Sequence, residues 1–326
     1  MDLLKKSRFK LKVGLALGGG AARGLAHLGV LQVLVREKIP IDILVGTSMG
    51  AIIGGAFAAD LDVVGLEQRM REVLSSEEFQ KNRLNFLRET KKQRGGLLFS
   101  VANLVRRGIF YGVSTLRPSF LSAEEFAGSI ETVIPEVDIE HLPIRFGAVT
   151  LDIESGEEVI LCRGDLRTAA RASSAIPGIL PPVKLNGRTL IDGGWVDKVP
   201  VLPAFKMGAD IVIAVDITAR MHEAREYNRG VDIMVRANAI KDSAFVGYLK
   251  RLADVVIEPE TKLIHWADFG AYERCITAGS EAAQAAVSSI RHVLRHERVF
   301  SVLRPGTGKK MAEAHLQSDD LDLCFE

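Results

Sequence analysis

An α/β fold built on parallel strands is predicted for this chain by three stretches. Residues 11–17 (LKVGLAL) and 41–46 (IDILVG) are short apolar runs of strand type, and between them Leu25, Leu28, Leu31 and Leu34 recur at helical spacing. Strand, helix and strand in so short a span form a βαβ unit, whose crossover leaves both strands parallel. The third stretch, 211–217, is a continuous apolar run of the kind found in strands buried on both faces.

The first strand ends in Gly18-Gly19-Gly20 and the second in Gly46-Thr47-Ser48-Met49-Gly50. In a parallel unit these turns fall on the same edge of the sheet and can face one site. Glycines at a helix start present bare backbone N–H groups and the positive end of the helix dipole, the equipment of an anion or oxyanion site. Gly46 and Gly50 flank Ser48 two residues to either side, as a sharp strand-to-helix turn with a strained central residue requires. A serine hydroxyl becomes a useful nucleophile only when a base takes its proton. By itself the motif equally describes a glycine-bounded turn with an incidental serine.

GGGAARG also contains Gly18, Gly20 and Gly24 in a pattern close to a dinucleotide-binding turn. That reading needs a ribose-binding residue at the end of the second strand, where GTSMG stands instead. Neither glycine run continues into the Gly-Lys-Ser/Thr of a phosphate-binding loop. Arg23 and His27 share a helix face behind the turn. Arg23 is expected to pin the turn through carbonyls or a carboxylate, and His27 to be a packed core histidine.

A helix is expected over 61–74. Residues 75–119 mix basic side chains (Arg88, Lys91, Lys92, Arg94) with the apolar stretch 97–104. This suits either an insertion over the site, a lid or lipid-facing flap whose 88–110 region touches a membrane surface, or a solvated loop followed by a packed helix. A short helix at 123–133, a hairpin pairing 144–150 with 158–162, and an alanine-rich helix at 166–174 follow. PGILPPV is an extended segment leading to the strand 189–191 and to Asp192-Gly193-Gly194. A carboxylate at a strand end, uncovered by two glycines, can reach a neighbouring strand end, though Asp-Gly also makes ordinary turns. Asp216, at the end of 211–217, is a second candidate base. Helices are expected at 201–207, 219–251 and 271–295, with an edge strand at 255–258. Residues 1–10 form a basic extension, 11–304 the domain, and 305–326 a tail without apolar periodicity.

The 326 residues are 47% hydrophobic and 25% charged, enough for a sizeable core. Forty-two basic against forty-one acidic residues give a formal charge of +1, which argues against a nucleic-acid binder. Cys162, Cys275 and Cys324 match no metal or redox spacing, so reduced cysteines, no metal and no cofactor are expected. No run of eighteen apolar residues occurs, and a cytoplasmic location, peripheral to the inner membrane surface at most, is expected.

Four blocks now stand in a fixed order: GGGAARG at 18–24, GTSMG at 46–50, ARASSAIPGILPPV at 170–183, and DGG at 192–194. Together they resemble the patatin-like phospholipase family, specifically its compact bacterial members. The resemblance implies a three-layer α/β/α fold with a mostly parallel sheet and a Ser-Asp dyad acting on a lipid or fatty acyl ester. Ser48 would be the nucleophile and Asp192 its base. Gly18, Gly19, Gly20 and the Met49 amide would form the oxyanion site, with Arg23 beside it. Many relatives carry asparagine near position 197, where this chain has aspartate. A Ser-Asp-His triad using His265 and a patatin-shaped adaptor without catalysis are the competing readings.

Overall fold

The computed structural model describes residues 11–77, 79, 123–218 and 230–303. The N-terminal extension, the tail and nearly all of the 75–119 insertion, including the 88–110 region, lie outside the described residues.

The strands are β1 (Val13–Leu17), β2 (Ile43–Thr47), β3 (Arg145–Asp152), β4 (Glu158–Leu161), β5 (Val183–Leu185), β6 (Arg188–Asp192), β7 (Ile211–Val215) and β8 (Val255–Ile257). The described α-helices are α1 (Ala26–Arg36), α2 (Met49–Asp60), α3 (Val63–Ser75), α4 (Ala123–Val133), α5 (Leu166–Ser173), α6 (Val201–Lys206), α7 (Gly230–Lys250) and α8 (Tyr272–Leu303). A 3-10 turn, Ala21–Leu25, precedes α1, so the glycine-rich segment enters its helix through a tighter coil than the sequence predicts.

All eight strands belong to one mixed sheet. The pairs β3–β2, β2–β1, β1–β7 and β7–β8 are parallel, while β4 and β6 run antiparallel to β3, and β5 to β6. β1 and β7 are buried along their whole length, as their continuous apolar runs require. Their side chains alternate between two cores. Leu15, Leu17, Ile211, Ile213 and Val215 meet residues of α1, α2, α3, α5 and α8 on one face. Ala16, Val212 and Ala214 meet Val201 and Ala204 of α6 and Val246 of α7 on the other. Helices therefore cover both faces, the three-layer arrangement expected.

β5 is the element that the proline-rich reading missed. It pairs with β6 around Asn186-Gly187, both at positive φ (48° and 78°). Cys162 is disulfide-bonded, which corrects the expectation of reduced cysteines, since spacing along a chain tests only local patterns. Cys275 is a buried free thiol.

The register of β3 positions the candidate site. Ala148 and Val149 pair with both β2 and β4, and Thr150 and Leu151 with both β4 and β6. Since β4 occupies one edge, β2 and β6 share the other. β2 runs up that edge to Thr47, opposite Val149, and β6 runs down it to Asp192, opposite Thr150. The two strands meet end to end.

Candidate active site

At this junction the chain of β2 turns sharply into α2 through Ser48, whose φ of 56° and ψ of −121° are strained for a residue with a Cβ. The flanking glycines are needed for room. A Cβ at position 46 would stand 2.3 Å from the Gly50 carbonyl oxygen, and one at position 50 would stand 2.1 Å from that of Leu17. Gly50→Ala is accordingly expected to lower stability by about 3 kcal/mol or more, or to abolish soluble expression, because a backbone oxygen cannot swing away. Urea unfolding of the variant measures this, and a loss below about 1 kcal/mol would contradict it.

Ser48 Oγ donates to Asp192 Oδ2 at 2.7 Å, across 144 positions of sequence. The other carboxylate oxygen of Asp192 accepts from Gly194 N at 2.7 Å, and a Cβ at position 194 would stand 3.0 Å from that oxygen, which explains the second glycine of the DGG motif. Burial pushes the Asp192 carboxyl up to about 6, against the opposing pull of the Ser48 hydroxyl, the Gly194 amide and the Lys198 charge. Asp197 is also held well above the usual carboxylate range by burial, with Glu158 adding to the effect. Its Oδ1 accepts from Val199 N at 3.0 Å, and its backbone oxygen accepts from Thr47 Oγ1 at 3.0 Å.

Two of the glycine amides expected at the oxyanion site are engaged elsewhere. Gly18 N donates to Val215 O at 3.0 Å, which extends the β1–β7 pairing past Leu17, and Gly19 N donates to Lys198 O at 2.9 Å, in the loop before α6. Among the described residues no acceptor is found for the Gly20 or Met49 amides.

His27 is a fully buried core histidine, as expected. Its Nε2–H donates to Gly18 O at 2.7 Å, and burial lowers its pKa to about 4, so the ring is neutral at pH 7. Arg23 departs from expectation: its Nε and Nη1 are buried with no hydrogen-bond partner, so these nitrogens do not pin the turn. Burial lowers its pKa, opposed by Cys275 and Asp216 nearby.

The competing bases are committed elsewhere. Asp216 accepts from Lys250 Nζ at 2.7 Å and from Thr218 N at 2.8 Å. His265 Nδ1 accepts from Ala267 N at 3.2 Å.

One residue that sequence reasoning passed over also touches Ser48. Ser173, fully buried at the last turn of α5, accepts from Ser48 N at 2.9 Å and donates to Val149 O at 2.6 Å. The available signal was a hydroxyl in the alanine-rich helix that begins at Leu166.

A family model described as patatin-like phospholipase matches residues 15–205, which span every element just described from β1 to α6. The chain belongs to the patatin-like phospholipase family. Within it, this patatin-like chain is 35% identical over 206 residues to an NTE family protein of Mycobacterium tuberculosis, covering 63% of this chain and 49% of that protein. It is 33% identical over 205 residues to lysophospholipase NTE1 of Scheffersomyces stipitis, covering 63% of this chain and 12% of that one. The patatin-like chain thus matches about half the length of the mycobacterial relative and about an eighth of the fungal one. Among solved structures it is similar to VipD from Legionella pneumophila, at 14% identity and a TM-score of 0.41, covering 86% of this chain and 67% of that one.

Proposed function

We propose that this chain is a serine acyl hydrolase that cleaves fatty acyl esters of phospholipids or lysophospholipids through Ser48 and Asp192. The observation that carries the reading is the 2.7 Å hydrogen bond from Ser48 Oγ to Asp192 at a strained turn. In the proposed first step Ser48 Oγ bonds to the ester carbonyl carbon while its proton passes to Asp192 Oδ2. The amides of Gly20 and Met49 stabilise the oxyanion. Collapse of the tetrahedral species breaks the carbon–oxygen bond to the alcohol, which takes the proton from Asp192 and leaves an acyl-serine. Water, deprotonated by the same carboxylate, then attacks the acyl-serine and releases the fatty acid, restoring Ser48. Arg23, with two buried nitrogens unpaired, is assigned to an anionic part of the substrate. Similarity to lysophospholipase NTE1 makes a lysophospholipid the first substrate to test.

A base with a pKa of about 6 works in its ionised form, so kcat/KM is expected to rise with pH through an apparent pKa near 6 and to level off above about 7. A profile flat from pH 5 to 8 contradicts this assignment. The reading as a whole is tested by release of fatty acid from lysophosphatidylcholine and by labelling with a fluorophosphonate, each compared with Ser48→Ala. Absence of both reactions in folded wild-type protein favours the adaptor.

A further inference from the structure

We infer that Ser173 is a positioning residue: its hydroxyl is built into the sheet between β2 and β3, and it holds the Ser48 peptide in register with Asp192. This rests on the reading of Ser48 as nucleophile and Asp192 as base.

β2 pairs with β3 as far as Thr47, opposite Val149. At Ser48 the backbone swings to positive φ and leaves the strand direction. The next N–H of β2 therefore cannot reach a β3 carbonyl directly. Ser173 spans the gap, taking the Ser48 N–H on its oxygen at 2.9 Å and passing its own proton to Val149 O at 2.6 Å. One hydroxyl thus extends the ladder by a single rung beyond the last residue pair.

The rung matters because of where it is anchored. Val149 immediately precedes Thr150, and Thr150 is the register partner of Asp192. The Ser48 peptide is tied to Val149 through Ser173, and Asp192 stands in register with Thr150 while its own N–H donates to Ala175 O at 3.0 Å, so adjacent residues of β3 and the end of α5 together set the spacing of the two reacting groups. Space at the anchor is tight, since a Cβ at Gly193 would stand 2.2 Å from Val149 O. Ser173 is held in turn by α5, which Asp165 caps by accepting from Thr168 N at 2.8 Å. Ala169, Ala170 and Ala172 of that helix are buried and let it lie close to the sheet.

The neighbouring residue supplies a control. Ser174 is also buried, yet its hydroxyl donates only within its own turn, to Ala170 O at 2.8 Å. Removing either hydroxyl deletes one oxygen from the same region. Only Ser173→Ala frees the Ser48 peptide.

The test measures kcat, KM and the pH profile for p-nitrophenyl butyrate with wild type, Ser173→Ala and Ser174→Ala. Ser173→Ala is expected to lower kcat by about 30- to 100-fold with KM changed by less than about threefold, the pattern of a misplaced reacting group. Its apparent pKa should also move upward, because a displaced Ser48 no longer donates to the ionised Asp192. Ser174→Ala is expected to stay within about twofold of wild type in kcat. The inference is overturned if Ser173→Ala keeps kcat within about threefold of wild type, if its pH profile is unmoved, or if Ser174→Ala falls as far. Should Ser173→Ala not fold, Ser173→Cys, with a weaker donor and acceptor, takes its place and is expected to lower kcat by about 3- to 30-fold, a loss below about threefold overturning the inference. Hydrogen exchange at the Ser48 amide separates this inference from the acyl hydrolase reading. If wild type hydrolyses no ester, the acyl hydrolase reading fails. Exchange about tenfold faster in the Ser173 variant then still supports the rung, and unchanged exchange overturns it.

Discussion

Ser48→Ala is expected to lower kcat for any acyl ester by about 10⁴-fold or more while leaving the fold intact. The variant loses the hydroxyl proposed to form the acyl intermediate, whereas the strand-to-helix turn around it is maintained by Gly46, Gly50 and the Ser173 hydroxyl. Its thermal stability should change little, because alanine inherits the unfavourable φ of 56°. Ser48→Gly should be as inactive but more stable than Ser48→Ala by about 1 kcal/mol, as glycine adopts that backbone without steric conflict. Steady-state kinetics with circular dichroism and thermal unfolding check all three statements. Retention of more than about 1% of wild-type kcat in Ser48→Ala would place the nucleophile elsewhere.

Asp192→Asn is expected to be nearly as damaging to activity, by about 10³-fold or more, and at the same time to stabilise the protein. The sign follows from the titration. The folded-state carboxyl, at about 6, lies above the 3.8 of an unperturbed aspartate. Below about pH 4 both states are protonated and the group makes no difference. Between about pH 4 and 6 the unfolded chain releases its proton first, so folding stability declines. Above pH 6 the deficit is constant, on the order of 3 kcal/mol at 1.36 kcal/mol per pKa unit. An asparagine has no charge to bury, keeps an acceptor for the Gly194 amide, and should recover much of this at pH 7. Urea unfolding of wild type and Asp192→Asn at pH 4 and pH 7 measures it. A difference between the two proteins that does not grow with pH would show that burial does not raise the Asp192 carboxyl.

The residues of the candidate pair were legible because each chemical requirement leaves a local mark. A strained turn needs small neighbours, hence Gly46 and Gly50, and a strand-end carboxylate needs a nearby amide donor, hence Gly194. The strands β1, β2 and β7 were equally legible, since strands covered on both faces must be continuously apolar. What the sequence concealed was partner choice. Gly18 and Gly19 carry the composition of an oxyanion loop, but whether an amide is free depends on where β7 and Lys198 bring their carbonyls. Ser173 escaped notice for the same reason: a hydroxyl among alanines has no pattern, and its role exists only through contacts with Ser48 and Val149, both remote in sequence. β5 was hidden behind Pro181 and Pro182, which mark an extended chain without indicating a partner.

The end-to-end meeting of β2 and β6 along one edge of β3 has a bearing on biosynthesis. A growing polypeptide that has emerged only as far as Gly187 contains Ser48 but lacks Asp192 and the strand that carries it. On the proposed reading of Ser48 and Asp192, ester hydrolysis therefore arrives in one step, when β6 docks beside the end of β2.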